Sequence, residues 1–340
     1  MSRITVLGAG AWGTAIALSL ESQQRHRVTL WSHRDDAAEA LRRDRENRQY
    51  LPGFALPEAI RITAEENEAV SDAEILVCVT PSAFLRKTVS HLAPHMHAGQ
   101  VIVSATKGIE ETHYLRMSEV IARTLRAYNL DLPVGVLSGP SFAQEVAAGM
   151  PTAVTLAFED AATAAHVQAE FSSAALRLYT SNDLIGVELG GALKNVIAIA
   201  AGVLSGVGLG LNSAAGLITR GIAEMTRLAV AAGGQRETLA GLSGVGDLVL
   251  TCTGSLSRNR MVGIELGQGR KLPEILASLD GKVAEGVRTT RAALGLARTL
   301  DVEIPITAQM EQILDQGKDP REAIRDLMLR PARPESDETR

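Results

Sequence analysis

The sequence predicts an α/β fold in which an N-terminal, doubly wound parallel sheet is joined to an all-helical C-terminal domain. Three observations lead there. Up to about residue 184, short and nearly continuous apolar runs alternate with stretches of helical spacing, the pattern of parallel strands covered on both faces. A glycine-rich turn separates the first apolar run from the first helical stretch. Beyond residue 184 the β-rich runs largely stop and long Ala/Leu/Gly stretches take over.

Taken in order, strands are expected at 4–7, 28–31, 75–79, 101–104 and 134–137. Two more are expected at 153–157 and 175–179, around an Ala-rich helix at 161–171. The first helix is expected at 14–20. In the second half, helices are expected over 187–203, 213–232 and 291–300, with shorter ones at 308–314 and 320–329. At 340 residues the chain exceeds one ordinary domain. The expected division is a nucleotide-binding domain at 1–184, a helical domain at 185–330 and a frayed tail at 331–340.

Composition narrows the function. Hydrophobic residues make up 46% of the chain and charged residues 21%, which suits a globular protein with a full core. Aromatics are only 3%, so Ala, Val, Leu and Ile must build that core. A net charge of −5 argues against nucleic-acid or acidic-membrane binding, so an anionic ligand needs a local cluster of cations. Cys78 and Cys252 are the two cysteines; they cannot form a disulfide framework, which fits a reducing compartment. Gly8 to Gly13 break the N-terminal apolar stretch, so no signal peptide is expected and the cytoplasm is the expected location. Residues 195–219 carry no charge and are long enough to span a bilayer. The glycines at 202, 206, 208 and 210 and the polar Asn195, Asn212 and Ser213 favour two buried helices joined by a turn, with no membrane span.

The glycine-rich turn reads Gly8-Ala9-Gly10-Ala11-Trp12-Gly13. Following a strand and opening a helix, this spacing is a dinucleotide-binding signature. Gly8 permits the tight turn, Gly10 lets the backbone approach a pyrophosphate, and Gly13 lets helix pack on strand. The helix start offers free N–H groups and a positive dipole end to the phosphates. Trp12 is expected to lie exposed at the turn, its indole along the cofactor. The second strand ends Leu30-Trp31-Ser32-His33-Arg34. The carboxylate that commonly receives the ribose 2′-OH of NAD is missing there. Arg34, helped by His33, is placed to meet a 2′-phosphate, so NADPH is the expected cofactor with NADH possible. The alternative is that Asp35 and Asp36 neutralise Arg34 as a solvated loop charge.

Five segments then carry a resemblance. They are Gly8 to Ala15, Ala105-Thr-Lys-Gly-Ile-Glu110, Ser138-Gly-Pro-Ser-Phe-Ala143, Gly191-Ala-Leu-Lys-Asn-Val196, and Gly244-Val-Gly-Asp-Leu248 running on to Ser257-Arg-Asn-Arg260. In this order they resemble bacterial-type NAD(P)-dependent glycerol-3-phosphate dehydrogenase. That family interconverts dihydroxyacetone phosphate and sn-glycerol 3-phosphate. The resemblance implies a Rossmann-type domain, a helical domain with the site between them, a homodimer, and a product used in glycerophospholipid synthesis.

The resemblance also implies roles. Lys194 would be the proton donor and acceptor and touch the substrate. A lysine in a long apolar helix is costly unless paired or used, and desolvation with a second nearby cation would lower its pKa. Lys107, at the exit of the 101–104 strand, would face substrate and cofactor. Gly139 and Ser141 match substrate positions and Ala143 a cofactor contact; Ser141 is not read as a nucleophile, since no His–carboxylate partnership is evident. Asp247, the sole carboxylate in the long apolar stretch 241–254, would orient Lys194 or bind a substrate hydroxyl. Ser257, Arg258 and Asn259 would bind the substrate, with Arg258 also reaching the cofactor, because an arginine fork suits phosphate. Ala11, Trp12, Val283 and Glu285 complete the expected cofactor contacts, and Asn195 and Thr251 are secondary candidates. Arg260 reads as a surface charge. His91, His95 and His97 cluster, but Pro94 interrupts their spacing and no acidic partner is expected nearby, so no metal site is expected. Two rival readings stay open at this point: a β-hydroxyacid dehydrogenase, and a non-catalytic redox sensor that binds dinucleotide and a partner protein.

Overall fold

The computed structural model describes residues 1–279, 281, 283–332, 334 and 335. Its strands are β1 (Ser2–Leu7), β2 (His26–Trp31), β3 (Glu46–Asn47), β4 (Leu51–Ala55), β5 (Arg61–Thr63), β6 (Ile75–Cys78), β7 (Val101–Ser104), β8 (Val134–Ser138), β9 (Thr152–Ala157) and β10 (Leu176–Ser181). Eight of them form one sheet in the order β10-β9-β8-β7-β6-β1-β2-β5, and β3 pairs with β4 apart from it. Along β6, Ile75 and Val77 join the apolar layer on one face while Leu76 and Cys78 join the layer on the other. That two-sided cover is why the strands read as unbroken apolar runs. Each large aliphatic buried there contributes about 1.5–3 kcal/mol.

Seven strands fall within a few residues of their expected places. The fold is the predicted one, a mostly parallel α/β sheet followed by helices, with one correction. β8 and β9 are antiparallel, although β9 and β10 are parallel to each other. The chain between β8 and β9 holds only the five-residue Ala143–Ala147 helix, roughly 7.5 Å long. That is too short to carry the chain back along the sheet face for a parallel return. The β3–β4 hairpin and edge strand β5 were not anticipated, being short and lacking an apolar period.

The last strand ends at Ser181 and the central helix begins at Leu184. Asp183 caps that helix, its carboxylate accepting from Gly186 N at 2.8 Å and from Gln235 N at 2.8 Å. The Leu184–Val207 helix is long and apolar enough to cross a membrane, and 89% of its most apolar stretch is buried inside the protein. Gly208, at φ +88, ends it. The next helix, Leu211–Ala231, differs from expectation in that its first turns are largely exposed, with Leu211 at 87%.

Residues 236–278 form helices that the sequence pattern did not indicate: Arg236–Leu239, Asp247–Thr253, Arg258–Gly267 and Leu272–Ser278. Glycines make this packing possible. Gly202 and Gly206 on the central helix face Gly263 and Gly267 on the Arg258–Gly267 helix. A Cβ on Gly263 would lie 2.0 Å from Ile199 O, and one on Gly206 would lie 2.2 Å from Ile264 O. The backbones therefore touch, which draws the start of the Arg258–Gly267 helix beside Lys194. Of the tail, Glu335 O accepts from Arg220; the expected fraying at 333 and 336–340 lies outside the described residues.

Candidate active site

The central helix carries Lys194 inward, where it is only 7% exposed. Its Nζ donates to Thr251 Oγ1 at 2.9 Å and, more tightly, to Asp247 Oδ1. Asp247 and Thr251 stand one turn apart on the Asp247–Thr253 helix, so both face the same lysine. Lys107 enters from the sheet side, donating to Asp247 Oδ2 at 2.7 Å and to Gly139 O at 3.0 Å. One fully buried carboxylate thus holds two ammonium groups, and the cluster keeps a net positive charge. Burial pushes the Lys194 pKa down to about 8; the Asp247 charge opposes that fall and the Lys107 charge adds to it.

Gly139 adopts φ +140, and a Cβ there would lie 3.0 Å from Val154 Cα. Only glycine lets the chain turn out of β8 with its carbonyl on Lys107. Ser141 Oγ donates to the same carbonyl at 3.1 Å.

Ser257 is buried, and its Oγ accepts from Arg260 N at 3.2 Å, capping the helix that begins at Arg258. Its hydroxyl therefore has a structural task. Arg258 projects from that helix start more than a third exposed, and among the described residues no carboxylate or acceptor is bonded to its guanidinium. Crowding by neighbouring protein lowers its pKa, while the charge of Glu285 works the other way. Asn259 is engaged at both ends: Nδ2 donates to Asn195 Oδ1 at 2.9 Å and Oδ1 accepts from Gly286 N at 3.0 Å. It ties together three helices around the cluster. Arg260 points at Ser205, away from the site.

The nucleotide end lies at the carboxyl edge of the sheet. Gly8 has φ +127, and a Cβ on Gly13 would lie 1.9 Å from Gly8 O, so the turn tolerates neither side chain. A Cβ on Gly10, by contrast, would meet nothing within 4 Å. That open space over an uncapped helix start fits a pyrophosphate. Asn47 braces the turn, its Nδ2 donating to Ala9 O at 2.9 Å and to Thr14 Oγ1 at 2.7 Å. It was missed because it sits in the unanticipated hairpin.

Trp12 departs from expectation. It is partly buried, packing with Ala11 and Ala143 beside Leu51 and Val146, and its indole N–H is enclosed without an acceptor among the described residues. The scarce apolar cover of the short hairpin draws the ring inward. The same contacts bring Ala11, Trp12 and Ala143 together. His33 and Arg34 are exposed after β2, and the Arg34 guanidinium folds onto Asp36, with Nε donating at 2.9 Å. Across the domain junction, Glu285 accepts from Ser82 N at 2.9 Å and from Ser82 Oγ at 2.5 Å, at the start of the Ser82–Leu92 helix. Burial pushes its carboxyl up. Val283, partly buried, precedes it.

The histidine cluster needs a correction. Glu66 does stand near, 3.7 Å from His91 Nδ1 and 3.7 Å from His95 Nε2, brought in by folding from far upstream. Among the described residues no group of three or more His, Cys, Asp or Glu could hold a metal ion. Cys78 and Cys252 are both free and buried, and burial pushes each thiol up to about 12.

A glycine-turn sheet domain joined to a helical domain, with a buried lysine at their junction, defines a two-domain nicotinamide-dependent dehydrogenase. The comparisons make this particular. The family described as NAD-dependent glycerol-3-phosphate dehydrogenase matches through its N-terminal part at residues 3–164 and its C-terminal part at 183–325. The chain belongs to that family. It is 59% identical over 338 residues to glycerol-3-phosphate dehydrogenase [NAD(P)+] of Acidobacterium capsulatum, covering 98% of this chain and 100% of the relative. The corresponding protein of Koribacter versatilis is 53% identical over 332 residues, covering 98% of each chain. The crystal structure of glycerol-3-phosphate dehydrogenase from Coxiella burnetii superposes with a TM-score of 0.92 at 38% identity, covering 97% of this chain and 99% of that one.

Proposed function

We propose that this chain reduces dihydroxyacetone phosphate to sn-glycerol 3-phosphate, and runs the reverse reaction, with Lys194 moving the proton. The observation that carries the reading is the Lys194–Asp247–Lys107 cluster, whose lysine titrates near physiological pH. At neutral pH Lys194 is mostly ammonium, ready to protonate an oxygen that gains charge. Asp247 and Thr251 aim its proton, and Lys107 adds positive charge beside the developing alkoxide. Gly139 and Ser141 border the same spot.

Arg258, whose guanidinium has no protein partner among the described residues, is the group that grips the substrate phosphate, with Asn259 at its side and Ser257 fixing the helix start. The nicotinamide dinucleotide supplies the hydride when bound. Gly8, Gly10, Ala11, Trp12 and Gly13 receive its pyrophosphate. His33 and Arg34 receive the adenosine ribose, the latter favouring NADPH over NADH. Lys107, Ala143, Arg258, Val283 and Glu285 border the nicotinamide side. The working units are residues 1–184 and 185–330. The relatives' names fit use of either dinucleotide.

The enzyme works in the cytoplasm as a homodimer and supplies glycerophospholipid synthesis; buried free thiols and the family membership support this setting. Initial rates of NADPH and NADH oxidation with dihydroxyacetone phosphate test the reading. Turnover of a β-hydroxyacid instead, or dinucleotide binding without any turnover, would replace it.

A further inference from the structure

Glu188 is a second buried charge on the central helix, 3% exposed and six residues before Lys194. No part of the reaction uses it, and a buried carboxylate is costly unless its partners are complete. Here they are complete. Oε1 accepts from Ser118 N at 2.7 Å, while Oε2 accepts from Ser118 Oγ at 2.7 Å and from Arg116 Nη1 at 3.0 Å. Ser118 lies in the first turn of the Met117–Arg126 helix. Glu188 therefore caps, from another domain, a helix of the sheet domain.

The gripped segment leads straight to the site. Arg116 is bridged antiparallel to Ile109, and Glu110 N donates to Leu115 O at 2.9 Å. Ile109 stands two residues after Lys107. The Ile109 side chain also sinks into the apolar core of the helical domain, but apolar contact has no direction. The carboxylate with its three donors sets the register. Lys107 and Lys194 must meet opposite oxygens of Asp247, and they come from different domains; Glu188 stands on one support and holds the other.

We propose that Glu188 is a positioning residue: by gripping Arg116 and Ser118 it fixes the 105–118 segment, and so Lys107, against the helix that carries Lys194. This rests on the reading of Lys194 as the proton donor. In a Glu188→Gln variant the one amide oxygen can replace only one of the two carboxylate oxygens, so its NH2 faces either Ser118 N–H or Arg116; the charge that Arg116 met is gone, and the grip loosens. Lys107 then leaves Asp247. Lys194 loses a neighbouring cation and gains a larger share of the carboxylate, so its titration moves to higher pH.

The test is made on the full chain with 13C-labelled lysine, whose six lysines include Lys107 and Lys194, alongside steady-state kinetics. The expected result is a kcat about tenfold or more lower, a dinucleotide KM within about twofold of the parent, and a Lys194 resonance that titrates at higher pH. A folded variant that melts earlier yet keeps the parent's kcat and Lys194 titration would make Glu188 a structural brace only and overturn the proposal. Should Glu188→Gln fail to fold, Arg116→Met and Ser118→Ala, which each remove one donor, are read the same way: unchanged kcat and titration in both overturns it. A Lys194→Ala variant with ordinary turnover sinks the proton-donor reading instead, while the lysine titration still decides whether Glu188 sets the distance between the two cations.

Discussion

Lys194 and Lys107 approach opposite oxygens of the same buried carboxylate, one from the helical domain and one from the sheet domain. Two cations on one anion leave unneutralised positive charge where an alkoxide would form. The arrangement also tunes the proton donor, because the carboxylate holds the Lys194 proton on while burial and Lys107 drive it off.

The pH dependence follows with a definite sign. Ketone reduction needs the ammonium, so kcat/KM for reduction should be flat below about pH 8 and fall as pH rises through it. Alcohol oxidation needs the free amine and should rise through the same range. Lys107→Met removes a cation and should move the limb to higher pH. Asp247→Asn removes the stabilising charge and should move it lower. Shifts in the same direction for both variants would remove the electrostatic account.

Lys194→Ala should keep dinucleotide affinity while turnover drops by roughly 10²–10⁴-fold, the usual share of general acid–base catalysis. Fluorescence titration with NADPH and a stopped assay measure the two separately.

Gly10 and Gly13 should respond differently to the same change. Gly13→Ala places a methyl against Gly8 O and should lower both Tm and dinucleotide affinity. Gly10→Ala points into open space, so Tm should hold while dinucleotide Kd weakens about tenfold, since the methyl occupies the phosphate's approach. Equal losses of Tm would show that Gly10 is packed.

Arg34 and Asp36 form an exposed pair that should contribute little to stability. Arg34→Ala should raise the KM for NADPH about tenfold and leave that for NADH almost unchanged. Asp36→Ala frees the guanidinium and should lower the NADPH value. A common effect on both cofactors would mean that Arg34 does not meet a 2′-phosphate.

Gly263→Ala tests how the phosphate end is held near the lysines. Its methyl would collide with Ile199 O, and overpacking of this kind costs about 1–3 kcal/mol. Tm should fall and the KM for dihydroxyacetone phosphate should rise, because the Arg258–Gly267 helix is pushed from Lys194.

Much of this was legible in the chain. A lysine in a long apolar helix, a lone aspartate at 247 and a glycine turn after a strand are local anomalies, each costly without a use. Thr251 was also readable, four residues from Asp247 on one helical face. Asn47 and Glu188 were not: Asn47 lies in a short hairpin without periodicity, and Glu188 is an ordinary polar residue until its distant partners are known. The reversal of β9 was hidden too, because a strand buried on both faces has the same apolar pattern in either direction.

Order along the chain and most strand and helix positions came from local periodicity; the expected site residues came partly from residues placed against their own solvation preference and partly from the family resemblance. The direction of β9, the inward turn of Trp12, the pairing of Arg34 with Asp36 and the meeting of both lysines on Asp247 were decided by tertiary structure. Each depends on which surfaces touch across long stretches of chain. A short-range pattern records what a residue needs, while only the packed molecule determines who meets that need.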